Sequence, residues 1–345
     1  MKIYFFLVFA FISLNTTFCQ NIADSSFFIN ITKYQKLVYN EKFEEAISLF
    51  NDTNYDSLNY INEFILTSIE YWENFVINEY WENSLNYKIN NNLDNKLLST
   101  INNTIVLSEK ELDKNQNNSL ALFILGSSYG YKGMYNLAKG ETFSAIKNAS
   151  KGLDALHLAF NIDSTLVDIN YAFGIYNYNA GSANFFIRLL LPIFFESADK
   201  EKGIEYLEYA KNHGKLSVFQ STFTLAIISE KEGNYPQTIA FLEAILNDYP
   251  MSSPVNILLI QTYYNLGSFN KTLEAGKTFV ELFKKKKNIP LEYLGYSYYL
   301  MALSANRLSK INEAREFFEK YLDIKKPRDF VENAKKMLLK IETNK

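Results

Sequence analysis

The sequence predicts an all-α protein, a solenoid in which antiparallel helix hairpins stack on one another. Only 6 prolines and 13 glycines interrupt its 345 residues, which is few for an all-β chain. Apolar residues recur at helical intervals and stop where glycine or proline occurs. A helix-turn-helix pattern returns after 34 residues, since Gly233-Asn234-Tyr235 is followed at that distance by Gly267-Ser268-Phe269. One such hairpin cannot bury its apolar face alone, so repeated copies predict stacking.

Composition and charge limit the classes of function that the protein can have. The chain is 48% hydrophobic and 16% aromatic, which is enough to build a large core. Its 35 basic and 38 acidic residues give a formal net charge of −3, without the basic excess that neutralises a phosphate backbone. We therefore expect no nucleic-acid partner.

Residues 1–19 have the pattern of a cleaved signal peptide. A short positive start precedes an almost wholly apolar run, and a small-residue cleavage region ends at Cys19. Cleavage there leaves Gln20 at the mature end and removes the only cysteine, so we expect export to the periplasm or outer membrane of a Bacteroidetes-like bacterium. Two alternatives remain: lipidation of Cys19, which the preceding Phe18 disfavours, and retention of the segment as an uncleaved anchor.

We interpret residues 20–118 as an N-terminal helical region with degenerate repeats. The stretch 42–50 has the pattern of a second hairpin helix. Trp72 and Trp81 lie in two copies of Tyr-Trp-Glu-Asn nine residues apart, so on one continuous helix they would point to opposite sides. Burial of both in a core is one interpretation, and an aromatic surface for a glycan or a peptide is the other.

We interpret residues 119–216 as degenerate repeats with insertions. Leu122-x2-Leu125-Gly126-x2-Tyr129 is a first-helix pattern, and Gly174 lies 48 residues after Gly126 in a similar one. Gly203-x3-Leu207-x2-Ala210 fits a second helix.

The apolar segment 185–195 interrupts this region. It is too short to span a bilayer, and Arg188 and Pro192 break it. The segment is therefore either part of the core or an exposed wedge that holds the protein at a membrane surface.

Residues 217–345 carry the clearest repeats and end in a predicted capping helix. Thr272 lies 34 residues after Thr238, and Ala314 lies 42 residues after Thr272. The increase of eight residues falls around the charged run 284–290, which we interpret as a loop.

This pattern resembles the tetratricopeptide-repeat family, whose unit has a small residue where its two helices cross, a glycine turn and a closing proline. Counted from residue 219, the unit places five residues at the family's positions: Leu225, Ala226, Gly233, Tyr235 and Pro250. Ile260 replaces the small residue of the next unit, so we expect a wider helix crossing there. The resemblance implies a right-handed superhelix whose concave groove, lined by first helices, binds a protein partner.

The resemblance also indicates which residues bind that partner. The first-helix positions that line such grooves correspond to Phe223, Ile227, Glu230, Gln261, Tyr264, Asn265, Tyr299, Asn306 and Arg307. A chaperone-binding carboxylate clamp is not implied, because Phe223, Ile257 and Tyr299 stand where its lysine would be. Apolar anchors flanked by hydrogen-bonding groups predict binding of an extended segment or a helix.

Motifs for catalysis or metal binding have simpler explanations. Gly126-Ser127-Ser128-Tyr129-Gly130 matches a hydrolase nucleophile elbow, but the run before it is helical. Gly276-Lys277-Thr278 lacks the earlier glycine of a phosphate-binding loop. His157 and His213 have no cysteine to complete a zinc site after cleavage, so we interpret them as a helix-face and a helix-end residue.

The sequence therefore predicts a non-catalytic protein-protein interaction scaffold of the cell envelope, with no cofactor, no metal and no catalytic residue. One alternative is a peripheral membrane protein that uses segment 185–195. The other is an enzyme whose site lies in the N-terminal region.

Overall fold

A computed structural model describes residues 20–52, 59–78, 91–182, 198–286, 291–324 and 330–343. Within these ranges the chain forms fifteen α-helices and no strand, which confirms the all-α prediction. The helices are α1 (Gln20–Tyr39), α2 (Phe43–Asp52), α3 (Asn59–Asn78), α4 (Asn91–Lys114), α5 (Ser119–Ala138), α6 (Thr142–Ile162), α7 (Ile169–Gly181), α8 (Lys200–His213), α9 (Val218–Lys231), α10 (Tyr235–Asp248), α11 (Ser253–Asn265), α12 (Phe269–Phe283), α13 (Leu291–Arg307), α14 (Ile311–Leu322) and α15 (Val331–Thr343).

Consecutive helices pair into hairpins from α1/α2 to α13/α14, and α15 packs against α14 at the end of the row. Each second helix also packs on the first helix of the next hairpin, and first helices of neighbouring hairpins touch, as α3 with α5 and α11 with α13. Helices that are neighbours in the chain are thus neighbours in space, which is the contact pattern of a solenoid. The solenoid prediction is confirmed.

The hairpin turns share one backbone conformation. Five residues at equivalent turn positions have left-handed φ values of 58° to 77°: Glu41, Gly140, Gly233, Gly267 and Ser309. After each of them, the next amide donates to a carbonyl five residues back, as Asn234 N does to Ser229 O at 2.8 Å. This is the Schellman arrangement that closes a helix, and glycine adopts its left-handed position without a steric penalty.

Side-chain caps fix where several helices begin. Asn118 accepts a hydrogen bond from Ala121 N at the start of α5, and Asp199 accepts from Glu201 N at the start of α8. Each cap satisfies an amide that has no partner inside its helix.

Paired glycines bring the helices of two hairpins into backbone contact. A Cβ on Gly126 of α5 would lie 2.8 Å from the carbonyl oxygen of Gly152 on α6. Gly174 of α7 faces Gly203 of α8 in the same way, at 3.0 Å. The buried Ile260 holds the corresponding position in α11, and the wider crossing expected there stays a prediction.

A tyrosine of the repeat pattern ties three consecutive helices together. The Tyr129 hydroxyl of α5 donates to Glu109 of α4 at 3.1 Å, and the Lys151 ammonium of α6 lies 5.2 Å from the centre of the Tyr129 ring. The same arrangement recurs at Tyr263, which donates to Glu243 of α10 while Lys271 of α12 lies 5.3 Å from its ring centre. Burial, followed by the charge of Glu109, raises the pKa of Tyr129 to about 12.

Of the aromatic and apolar segments whose roles the sequence leaves open, the structure describes only the one around Trp72. Trp72 is buried in the core, in agreement with the first interpretation of its motif. Trp81, segment 185–195 and the predicted signal peptide lie outside the described residues.

We predict opposite effects for alanine at two glycines of the α5/α6 hairpin. Gly152→Ala should destabilise the protein by about 1–3 kcal/mol, because its Cβ meets the backbone oxygen of Gly126, which cannot move aside. Gly130→Ala should stabilise by about 0.5–1 kcal/mol, because the site is helical and has no atom within 4 Å of the new Cβ. Urea denaturation followed by circular dichroism measures both. Equal effects in the two variants would contradict the backbone contact.

Candidate functional site

The predicted partner-binding residues lie on α9, α11 and α13, the first helices of the last three hairpins. We call the surface formed by these helices the first-helix face. Asn265 and Arg307 are exposed there, and five others are half-buried: Ile227, Glu230, Gln261, Tyr264 and Asn306. Phe223 and Tyr299 are buried.

Hydrogen bonds connect the polar residues of this face across three hairpins. Glu230 Oε1 accepts from Gln261 Nε2 at 3.3 Å and from Asn265 Nδ2 at 3.1 Å. Gln261 Oε1 in turn accepts from the Tyr296 hydroxyl at 3.1 Å. One carboxylate on α9 therefore orients two amides on α11, and one of these amides binds a tyrosine on α13.

Tyr296 is a member of this network that the sequence reasoning missed. Burial, then the neighbouring Tyr299, Glu230 and Tyr264, raise its pKa to about 12, so the hydroxyl stays protonated and acts as a donor. Tyr296 precedes Tyr299 by three residues, and this spacing places both side chains on one side of α13. That spacing was the signal that could have revealed it.

Tyr299 faces the C-terminal helix instead of an open groove. Its ring stacks on Phe330 with centroids 4.5 Å apart, and its hydroxyl accepts from Asn333 Nδ2 at 2.6 Å. The last helical segment thus covers this predicted groove position.

Aromatic residues from the N-terminal hairpins cover the first-helix face at α9. The ring of Tyr39, at the end of α1, stacks on Phe219 of α9 with centroids 3.9 Å apart. Trp72 of α3 and Tyr249 present their edges to the Tyr39 ring at 5.2 and 5.4 Å. Gln220 of α9 donates a hydrogen bond to the Tyr39 hydroxyl. We call Tyr39, Trp72, Phe219 and Tyr249 the aromatic cluster.

Tyrosine side chains of α5 and α7 are packed in a similar way. The ring of Tyr131 on α5 lies 4.5 Å from that of Tyr71 on α3, and burial raises the pKa of Tyr131. Burial also raises the pKa of Tyr171 on α7 to about 12. The first helices of the N-terminal half therefore pack their aromatic side chains against one another, where the sequence reasoning expected a partner surface.

A buried ion pair fixes the α1/α2 turn to the sixth hairpin. Glu41, in the left-handed turn position, lies 2.8 Å from the Lys286 ammonium just after α12, and the two side chains are 1% and 8% exposed. Ser253 donates to Glu41 through both its amide and its hydroxyl, and Lys286 also donates to Met251 O. Next to it, Asn40 Oδ1 accepts from Met251 N at 3.2 Å. The first hairpin is thus bound to the connection between the fifth and sixth.

The motifs weighed for catalysis occupy ordinary helical positions. Ser128 is buried in α5 and donates to Ile124 O at 2.7 Å, and Gly276 lies inside α12. His157 stacks on Phe173 with centroids 4.4 Å apart, and His213 ends α8 with its ring against Tyr209. Across the described ranges no three metal-ligating side chains come together, and none of the described helices is long and apolar enough to cross a membrane.

The repeat geometry defines the class of fold. A 34-residue unit, a left-handed glycine at the turn and a small residue at the helix crossing make this a tetratricopeptide-repeat-like solenoid. No protein-family model matches the sequence, and no curated protein has a similar sequence.

Three solved structures show a likeness in fold. PilW, a widely conserved type IV pilus biogenesis factor, has 15% identity and a TM-score of 0.43, covering 67% of this chain and 90% of PilW. Yeast Tom70 has 14% identity and a TM-score of 0.36, with coverages of 94% and 83%. A tetratricopeptide repeat protein from Parabacteroides merdae ATCC 43184 has 12% identity and a TM-score of 0.35, with coverages of 94% and 98%. All three TM-scores are below 0.5, so these likenesses carry no argument about function.

We predict that Glu41→Gln destabilises the protein by about 3 kcal/mol, because it leaves the Lys286 charge buried without its partner. Adding Lys286→Met should recover part of this loss, since it removes the unpaired charge. The matched control is Glu45→Gln, which breaks the exposed pair with Lys42 and should cost at most about 1 kcal/mol. Urea denaturation gives the free energies of unfolding. Equal values for Glu41→Gln and Glu45→Gln would show that the buried pair of Glu41 with Lys286 contributes no more stability than the exposed pair.

The enclosed tyrosines predict instability at alkaline pH. Burial raises the pKa of Tyr39, Tyr131 and Tyr171 in the folded state, whereas an unfolded tyrosine has a pKa of about 10. Their contribution to stability is therefore complete below the unfolded pKa and is lost as the pH rises through the folded values. We expect the tyrosinate absorbance of these residues to appear together with loss of helical circular dichroism. Complete tyrosine ionisation with unchanged helicity would show that they are not enclosed.

Proposed function

We propose that the protein is a non-catalytic scaffold of the cell envelope that holds an extended segment or a helix of a partner protein. The binding surface is the accessible part of the first-helix face, formed by Ile227, Glu230, Gln261, Tyr264, Asn265, Asn306 and Arg307. The observation that carries the proposal is the hydrogen-bond network in which Glu230 orients the amides of Gln261 and Asn265. These side chains are held in place before a partner arrives, which lowers the entropy cost of binding.

The chemistry of this surface favours recognition of a peptide backbone. Side-chain amides offer both donors and acceptors, so Asn265 and Asn306 can pair with the N–H and C=O groups of an extended chain. Tyr264 and Ile227 provide apolar contact between these polar groups, and Arg307 supplies a positive charge at the end of α13. A partner segment with an apolar anchor and a nearby carboxylate fits this arrangement.

Export is part of the proposal and rests on the sequence of residues 1–19. The intact mass of the protein from the envelope tests this. A mature chain that starts at Gln20 supports cleavage, and a lipid-modified Cys19 would replace this part of the proposal.

A second candidate function is peripheral membrane association through segment 185–195, which connects α7 to α8. Its support is the apolar composition of the segment. Flotation with liposomes tests it by comparing the wild type with Leu190→Asp. Absence of flotation of the wild type would eliminate it.

Site-specific photocrosslinking tests the scaffold function. A photoreactive amino acid in place of Tyr264 should crosslink one partner in the envelope, whereas the same amino acid in place of Tyr209, exposed on α8, should not. We expect Glu230→Ala and Asn265→Ala each to weaken binding of that purified partner by at least about 1 kcal/mol, as measured by calorimetry, because the orienting network is lost. Identical crosslinks from positions 264 and 209, or unchanged affinity in both variants, would refute the assignment of the surface.

A further inference from the structure

A cleft on the α5/α6 hairpin has a lining unlike that of the first-helix face. Its volume is about 330 Å³, and it lies between Tyr129 and Lys132 of α5 and the α6 side chains of Ser144, Lys147, Asn148 and Lys151. The four α6 residues are spaced by three and four positions, which places them on one side of the helix. Three of the lining residues are lysines: Lys132 from α5, and Lys147 and Lys151 from α6.

The cleft lies on a hairpin that is longer than the α9/α10 hairpin. From Gly126 at the helix crossing to Gly140 at the turn there are 14 residues, whereas only seven separate Ala226 from Gly233 in the α9/α10 hairpin. Accordingly α5 and α6 contain 20 and 21 residues, and α9 and α10 contain 14 each. Beyond the helix crossing, the α5/α6 hairpin therefore extends about two turns further than the α9/α10 hairpin does.

The lysines of the cleft lack acidic partners. Within the described part of the chain, no carboxylate forms an ion pair with Lys132, Lys147 or Lys151. Two carboxylates lie nearby: Glu109 accepts from the Tyr129 hydroxyl and its charge acts on Lys132, and Glu141 accepts from Asn136.

Neutral groups hold two of the lysines in position. The Lys132 ammonium donates to Asn102 Oδ1 of α4 at 2.8 Å, and Lys151 lies over the Tyr129 ring. Burial, then the charge of Lys151, lower the pKa of Lys132. The two ammonium groups repel each other, and an anion between them would relieve that repulsion.

We propose that this cleft binds a phosphate group. A phosphate dianion offsets more of the three positive charges than a carboxylate does, and its oxygens can accept from the lysines, the Ser144 hydroxyl and the Asn148 amide. Such a group comes either from a soluble metabolite or from a lipid headgroup.

Calorimetric titration of the purified chain with inorganic phosphate and with glycerol 3-phosphate tests the site. The cleft variant is Lys147→Gln/Lys151→Gln, which changes two exposed side chains and leaves the helix crossing intact. The control is Lys271→Gln, which removes one lysine charge and the equivalent lysine-tyrosine contact at Tyr263, outside the cleft. We expect saturable binding by the wild type, binding at least about tenfold weaker in the cleft variant, and unchanged binding in the control.

Cosedimentation with vesicles distinguishes the two sources of the phosphate. Phosphatidylcholine vesicles with and without phosphatidic acid serve as the probe. A headgroup ligand predicts binding that requires phosphatidic acid and is lost in the cleft variant, whereas a soluble ligand predicts glycerol 3-phosphate binding without vesicle binding. The proposal is overturned if the wild type binds none of the probes, or if the control variant loses binding as fully as the cleft variant does.

Discussion

The contact between Tyr39 and Phe219 joins parts of the chain that are 180 residues apart, and the shape of the molecule depends on it. In an open solenoid each hairpin meets only its neighbours, so stability is a sum of local terms. Here the first hairpin also meets the fifth and sixth, through the aromatic cluster and the pair of Glu41 with Lys286. Aromatic rings bury large areas, and their stacked and edge-on contacts add to that burial. The row of hairpins is therefore closed on itself.

Closure divides the first-helix face into two parts with different roles. Where Phe219 and Phe223 of α9 meet the N-terminal hairpins, tyrosine, tryptophan and phenylalanine side chains pack against one another and form core. From Glu230 of α9 to α11 and α13, polar side chains are linked to each other and remain partly accessible. The abundance of tyrosine in the sequence thus has a structural explanation, because a hydroxyl at the end of a buried ring can still find a hydrogen-bond partner in a closed interior.

Local features of the fold could be predicted from the sequence, and the closure could not. The helices, the turns at Gly233 and Gly267 and the small residue at Ala226 follow from periodicity and backbone preference, which act over a few residues. The burial of Phe223 and Tyr299 depends on which distant segment covers them, and a repeat pattern contains no information about that. Tyr296 was missed because its hydrogen bond reaches Gln261 on another hairpin, although its spacing from Tyr299 places both side chains on one side of α13. The lysine cleft was missed because Lys132, Lys147 and Lys151 come together only through the pairing of α5 with α6.

The docking of Glu41 onto Lys286 also affects the order in which the protein folds. During synthesis the first hairpin leaves the ribosome long before residue 286 exists, so its ion-pair partner and much of its cover are missing while most of the chain is made. Contacts of such long sequence separation slow folding and leave apolar surface exposed in the meantime. The helices that are made first are therefore among the last to complete their packing. A chaperone would be needed most while only the N-terminal half of the chain has been made.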